Sequence, residues 1–154
     1  MNQIPPWQRL LAVLFYLLPW SDAVPFGSAL ISVFPWLIWL QLPALPLLLL
    51  DQIVPFGGFV LFLVLFLAVV RNPKVPDYLR FNALQAILLD ILLTVLSLGF
   101  RVLLSPLGDS IVLRTLNNTI FIGCLAVLLY ALLQCSRGKE ADLPTISEAV
   151  RMQL

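Results

Sequence analysis

No histidine occurs in the 154 residues, and Asp, Glu, Lys and Arg together make up only 11% of them. The missing imidazole removes the commonest general base, nucleophile activator and nitrogen metal ligand at once. The scarcity of charge excludes more, because an ordinary soluble domain carries about 25% charged residues. Disorder is excluded by the same scarcity, since disordered chains are charge-rich and apolar-poor. Net charge is +1 with no long basic run, so nucleic-acid binding has no electrostatic footprint. Cysteine is limited to Cys124 and Cys135. On one helix that spacing is about 16 Å, too far for a disulfide, and free thiols are expected. The sequence also lacks a Gly-rich phosphate loop, a metal-ligand cluster, a nucleophile beside a base and a GxxxG pair. No catalytic residue, metal or cofactor is therefore expected.

What the chain does contain is hydrocarbon. The apolar set makes up 61% of it, and mean hydropathy is +1.02. A globule of this size cannot hide that much apolar surface from water, which leaves lipid as the main solvent. The length allows one membrane domain, residues 1–154. With no period-2 strand pattern and no repeat, the fold class is an all-α integral membrane protein. The expected form is a four-helix transmembrane bundle with a short N-terminal interfacial helix and a short C-terminal amphipathic helix.

Leu10 to Leu18 is wholly apolar and is followed by Pro19, Trp20, Ser21 and Asp22. Nine residues make about 14 Å of helix, under half of the hydrocarbon core of about 30 Å. Residues 7–20 are thus expected to lie in or dip into the interface, with Trp7 and Trp20 as anchors. A secretory signal peptide is the rival reading, with Arg9 as its n-region and Ser21-Asp22-Ala23 as its cleavage site. One charge and the nearby Pro19, Trp20 and Asp22 suit it poorly. A variant of this division has residues 10–28 crossing and part of 29–50 not crossing.

The spans are expected at residues 29–50, 53–70, 80–100 and 111–133. Pro35, Pro43 and Pro46 should kink or partly unwind the first, which then needs cover from other helices or a cavity. Asp51-Gln52 should turn the first into the second. Residues 136–154 form the soluble tail. There Thr145-Ile146-Ser147-Glu148 fits a capping box, and Ile146, Val150 and Leu154 recur every four residues. An amphipathic helix that docks on a surface is expected.

No Lys or Arg occurs from Leu10 to Val70. With four spans, Arg9, Arg71, Lys74, Arg80, Arg137, Lys139 and Arg151 fall on one side, and Arg101 and Arg114 on the other. Seven against two places both termini on the cytoplasm-like side.

Asp90 is the sharpest single feature, about mid-depth in the third span, where a carboxylate costs about 2.5–3.5 kcal/mol. It reads either as a polar point in a pathway or as a packing residue between helices. Asn82 and Gln85 share one helix face, and Arg114, Asn117 and Asn118 share another. Each set is a candidate polar seam, lining a cavity or gluing helices together. Both seams are N-terminal in antiparallel spans, so they should sit towards opposite leaflets and not pair. Asn117-Asn118-Thr119 is formally a glycosylation sequon, discounted because it falls at the edge of a span.

Taken in order, the polar islands carry a family likeness. Val24-Pro25-Phe26-Gly27 and Val54-Pro55-Phe56-Gly57-Gly58 come first. Arg71-Asn72-Pro73 leads into Arg80-Phe81-Asn82-Ala83-Leu84-Gln85-Ala86-Ile87-Leu88-Leu89-Asp90-Ile91. Thr115-Leu116-Asn117-Asn118 follows, then Ala141-Asp142-Leu143-Pro144-Thr145-Ile146-Ser147-Glu148-Ala149-Val150. The chain resembles the 20-kDa Tic subunit family, the membrane component of the translocon at the chloroplast inner envelope. The resemblance covers nearly the whole chain, and its third-span string and Pro-Thr-Ile-Ser tail are its specific parts.

The resemblance implies a four-span helical protein that helps move preproteins across a plastid inner envelope or acts in a cyanobacterial membrane. With no transit peptide before the first motif, it implies a cyanobacterial or plastid-encoded member. Its implied partners are the lipid bilayer, other translocon subunits or a second copy of the chain, and a precursor polypeptide as cargo. Candidate loop and tail contacts are Arg71, Asn72, Arg80, Pro144, Thr145 and Glu148. Four helices this apolar cannot line a wide aqueous channel alone. The competing readings are a small solute or ion transporter and a structural or assembly subunit.

Overall fold

A computed structural model describes residues 3–140, 143 and 146–154; Pro144 and Thr145, two of the tail contacts, lie outside the described residues. Every regular element among these residues is helical. Four helices are long and apolar enough to cross a membrane: α1 Pro6–Val33, α2 Pro35–Ile53, α4 Asp77–Leu103 and α5 Ile111–Ser136. Between them lies a shorter apolar helix, α3 Gly57–Val70. The tail folds as α6, Ile146–Gln153. The fold class is therefore an all-α membrane protein with short helices at its two ends.

The start of the chain is a short helix, Pro6–Phe15, as expected, but it does not end at Pro19. It slips at Tyr16, whose amide bonds to the Val13 carbonyl at 3.2 Å, and restarts as Leu17–Ala23. Pro19 then falls in the first turn of the restarted helix, where a missing N–H costs little. Pro25 is absorbed the same way, near the start of the 3₁₀ turn Val24–Gly27, before Ser28–Val33 completes α1. The apolar stretch of α1 is 61% buried, against 22% in α4 and α5, so α1 occupies the middle of the bundle. Helix boundaries at 29–50 and 53–70 are shifted accordingly, and α3 has only 14 residues.

Side-chain contacts fix the directions. Tyr16 meets Asn82 and Gln85, Asp22 meets Thr94, and Phe26 meets Phe100, so α1 and α4 run parallel. Tyr78 bonds to Cys135 and Trp20 stacks near Phe121, so α5 runs antiparallel to both. Gly27 lets α1 come close to α5, since a Cβ there would lie 2.6 Å from the Phe121 ring. Apolar contact in a bilayer replaces lipid rather than water, so such close packing and internal hydrogen bonds carry the association.

The prolines of α2 have the expected effect. Pro35–Ala44 is 3₁₀, long for that form, and only Leu45–Ile53 is α-helical. In 3₁₀ register the Leu40 carbonyl would accept the N–H of residue 43, which is a proline. The Trp20 indole Nε1 donates to that carbonyl instead, at 2.8 Å. Trp20 is therefore a buried side chain covering broken backbone, not an interfacial anchor. Trp7, Trp36 and Trp39 do face outward. Asp51 holds the turn into α3 by accepting the Gly58 N–H at 2.5 Å, and Phe56 takes the left-handed conformation within that turn.

Candidate functional site

Four elements meet in a buried polar network at the end of the bundle where the termini lie. The Tyr16 hydroxyl of α1 donates to Asn82 Oδ1 and accepts from Gln85 Nε2, both at 2.9 Å. Asn82 Nδ2 donates to the Tyr78 carbonyl at 2.8 Å, and the Cys135 thiol of α5 donates to Asn82 Oδ1 at 3.4 Å. From the tail, Ser147 Oγ donates to Gln85 Oε1 at 2.6 Å and accepts the Leu143 N–H at 2.7 Å. Asn82 and Gln85 have no exposed surface. Both amides engage protein groups and join α1, α4, α5 and the tail. Each such bond in a membrane bundle contributes about 0.6 kcal/mol on average.

The tail contacts divide on this evidence. Helix α6 docks on the bundle itself, with Val150 fully buried in a cluster with Phe81, Leu84, Ile87 and Leu18. Arg151 sits 5.2 Å from the Phe81 ring centroid and pairs with Glu140. Ser147, not Glu148, makes the anchoring contact; Glu148 is exposed. In the loop before α4, Asn72 Oδ1 accepts the Lys74 N–H, Arg80 donates to the Val70 carbonyl at 2.9 Å, and Arg71 is exposed.

Asp90 is not alone. It lines a cleft of about 420 Å³ together with Asp22, Asp51 and Thr94, between α1, the α2–α3 turn and α4. The Thr94 hydroxyl lies 2.9 Å from both Asp22 Oδ2 and the Asp90 carbonyl, and its single proton serves one of them at a time. Asp90 is half-buried and Asp51 exposed. Among the described residues, no group of three His, Cys, Asp or Glu is arranged to hold a metal ion. Reading Asp90 by itself missed its neighbours. A signal was available: Asp22 and Asp51 are uncompensated acids in a stretch without Lys or Arg.

The second seam lies at the opposite end and does not meet the first. Arg114 pairs with Asp109 through two hydrogen bonds of 2.8 and 2.6 Å. That guanidinium holds the Asp109 carboxyl below the usual carboxylate range. The pair's contribution is present above that range and is lost as pH falls through the lowered value. Asn117 lines a cleft with Phe26, Phe100 and Arg101. Asn118 Oδ1 is buried with no hydrogen-bond partner among the described residues. Tyr16 was not singled out in the sequence, where Cys135 read only as a free thiol and Ser147 only as part of a capping box.

The chain is 41% identical over 147 residues to a Tic20 family protein of Synechocystis sp., covering 95% of this chain and 92% of that one. It is 34% identical over 148 residues to Protein TIC 20-v, chloroplastic, of Arabidopsis thaliana, covering 95% and 70%. It is 31% identical over 159 residues to the Tic20 family protein Ycf60 of Gracilaria tenuistipitata, covering 99% and 78%. The family model described as chloroplast import apparatus Tic20-like matches residues 2–150. With relatives of this similarity along almost its full length, the chain belongs to the Tic20 family.

Proposed function

We propose that this chain is a membrane subunit of a protein-translocation assembly, inserted with both termini on the stromal or cytoplasmic side of a plastid or cyanobacterial membrane. The family match across residues 2–150 carries this reading. The start of α1, the loop before α4 and the end of α5 lie at one end of the bundle, where Arg9 reaches the Ser136 carbonyl and Arg80 the Val70 carbonyl. That end holds seven of the nine basic residues, which supports the orientation. The core of one copy is packed, with Asn82 and Gln85 engaged inside it, so a conducting path would need other subunits or further copies. The polar side chains a precursor segment would meet are those of the Asp22–Asp51–Asp90 cleft. Photocrosslinkers at Asp51 and Thr94, with one at Asn82 as a buried control, test this against an arrested precursor. Adducts are expected from the first two and not from the control. A precursor shown to be arrested yet giving no adduct at either cleft position would overturn the reading.

The three carboxylates of the cleft also favour a second reading, a small transporter for cationic solutes or protons. It predicts flux in proteoliposomes that is lost in Asp90→Asn and kept in Asp90→Glu. Without such flux the transporter reading fails and the translocon reading stands on the crosslinks.

A further inference from the structure

A second cleft, of about 430 Å³, opens between the tail helix α6, the end of α3 and the first turns of α4. Arg71 and Arg80 line it at the terminal end of the bundle, Phe62, Phe66, Leu88 and Ile91 line it further in, and Ala149, Gln153 and Leu154 of the tail close one side. From Arg80 to Ile91 is eleven residues of α4, about 16 Å along the helix axis. The cleft is thus a trough with cations at the membrane surface and hydrocarbon running inward. No Asp or Glu lines it among the described residues.

The two arginines differ in how far they are used. Arg80 spends Nε on the Val70 carbonyl and Nη1 on Asp77 at 3.1 Å, which leaves Nη2 without an acceptor among the described residues. Asp77 is 92% exposed, so that pair is solvated and weak. Arg71 pairs with no carboxylate among the described residues. Counting side chains, the two guanidinium groups are the only charges that line the trough among the described residues.

We propose that this trough holds one anionic glycerophospholipid of the adjoining leaflet. Its phosphate sits between Arg71 and Arg80, and one acyl chain lies along Phe62, Phe66 and Leu88 towards Ile91. Guanidinium groups bind phosphate oxygens in a fork, and basic pockets between spanning helices select acidic head groups. A free phosphate would use the arginines and leave the apolar part unread. A zwitterionic lipid would bring its own cation up against them.

Thermal unfolding and native mass spectrometry of the full chain in mild detergent test the proposal. The added probes are phosphatidylglycerol, phosphatidylcholine of the same acyl chains, and inorganic phosphate. Phosphatidylglycerol is expected to raise the unfolding temperature and to remain bound at one per chain, and the other two are not. Arg71→Gln, at an exposed position, should weaken that retention at least tenfold, with Arg71→Lys restoring part. Arg137→Gln, a basic residue at the same end but outside the trough, should leave it unchanged. An equal shift from phosphatidylcholine overturns the proposal, as does undiminished retention in Arg71→Gln or an equal loss in Arg137→Gln. A shift reproduced by inorganic phosphate overturns the lipid and assigns the site to the free anion.

Discussion

The hydroxyl of Tyr16 ties both buried amides to α1, donating to Asn82 and accepting from Gln85. Tyr16→Phe keeps the ring but removes both bonds, and among the described residues Asn82 Oδ1 keeps only the Cys135 thiol as a donor. An unmatched buried polar group costs about 1–3 kcal/mol. Thermal unfolding in detergent should therefore show a clear drop for Tyr16→Phe. Asn118→Leu should behave in the opposite way, unchanged or more stable, because it removes an acceptor that already lacks a partner among the described residues. The two seams looked alike in the sequence: short polar side chains three or four apart near a helix start. They differ because one faces α1 and the tail, while in the other Arg114 is exposed, Asn117 lines a cleft and Asn118 is partly buried. That distinction depends on which helix stands opposite, and local spacing carries no information about it. The grouping of Asp22 with Thr94, 72 residues away, was hidden for the same reason.

At the scale of elements, most of the helices were legible and one was not. Long apolar runs gave α4 and α5 nearly to their ends, and Ser110 Oγ caps α5 by accepting the Leu113 N–H. The four-residue repeat gave the tail helix. In the N-terminal segment proline was expected to stop the helix, and the helix instead resumes through Pro19. Proline stops a helix only if its missing N–H falls mid-register, and α1 resets its register at Tyr16 and again at Val24. The close contact of α1 with α5 yields a sharper test. Gly27→Ala puts a methyl group 2.6 Å from the Phe121 ring, and overpacking of this kind costs about 1–3 kcal/mol. Phe121→Leu in the same chain should recover part of that loss. If the two changes simply add, the contact is not what the glycine serves.

For the whole molecule, the charge count anticipated that both termini would share one end, and the contacts of Arg9, Tyr78 and Ser147 bring them together there. Membrane-impermeant maleimide labelling checks which face that is. Lys74→Cys and Arg137→Cys should label from one side of sealed vesicles and Ser105→Cys only from the other; labelling of all three from one side would refute the arrangement. What no count of charges could give is the parallel pairing of α1 with α4, which makes the broken α2–α3 arm the return path between them.

The polar network has a consequence for how the chain is made. Its members come from the first helix, the third long helix, the last long helix and the tail, so Tyr16 waits for Asn82, and Gln85 waits for Ser147, 62 residues later. Until the final segment is synthesised and folded back, the growing chain lacks the hydroxyl that Ser147 gives to Gln85 Oε1. A product cut short before Ser147 would lack that bond, and with it the tail's polar hold on the bundle.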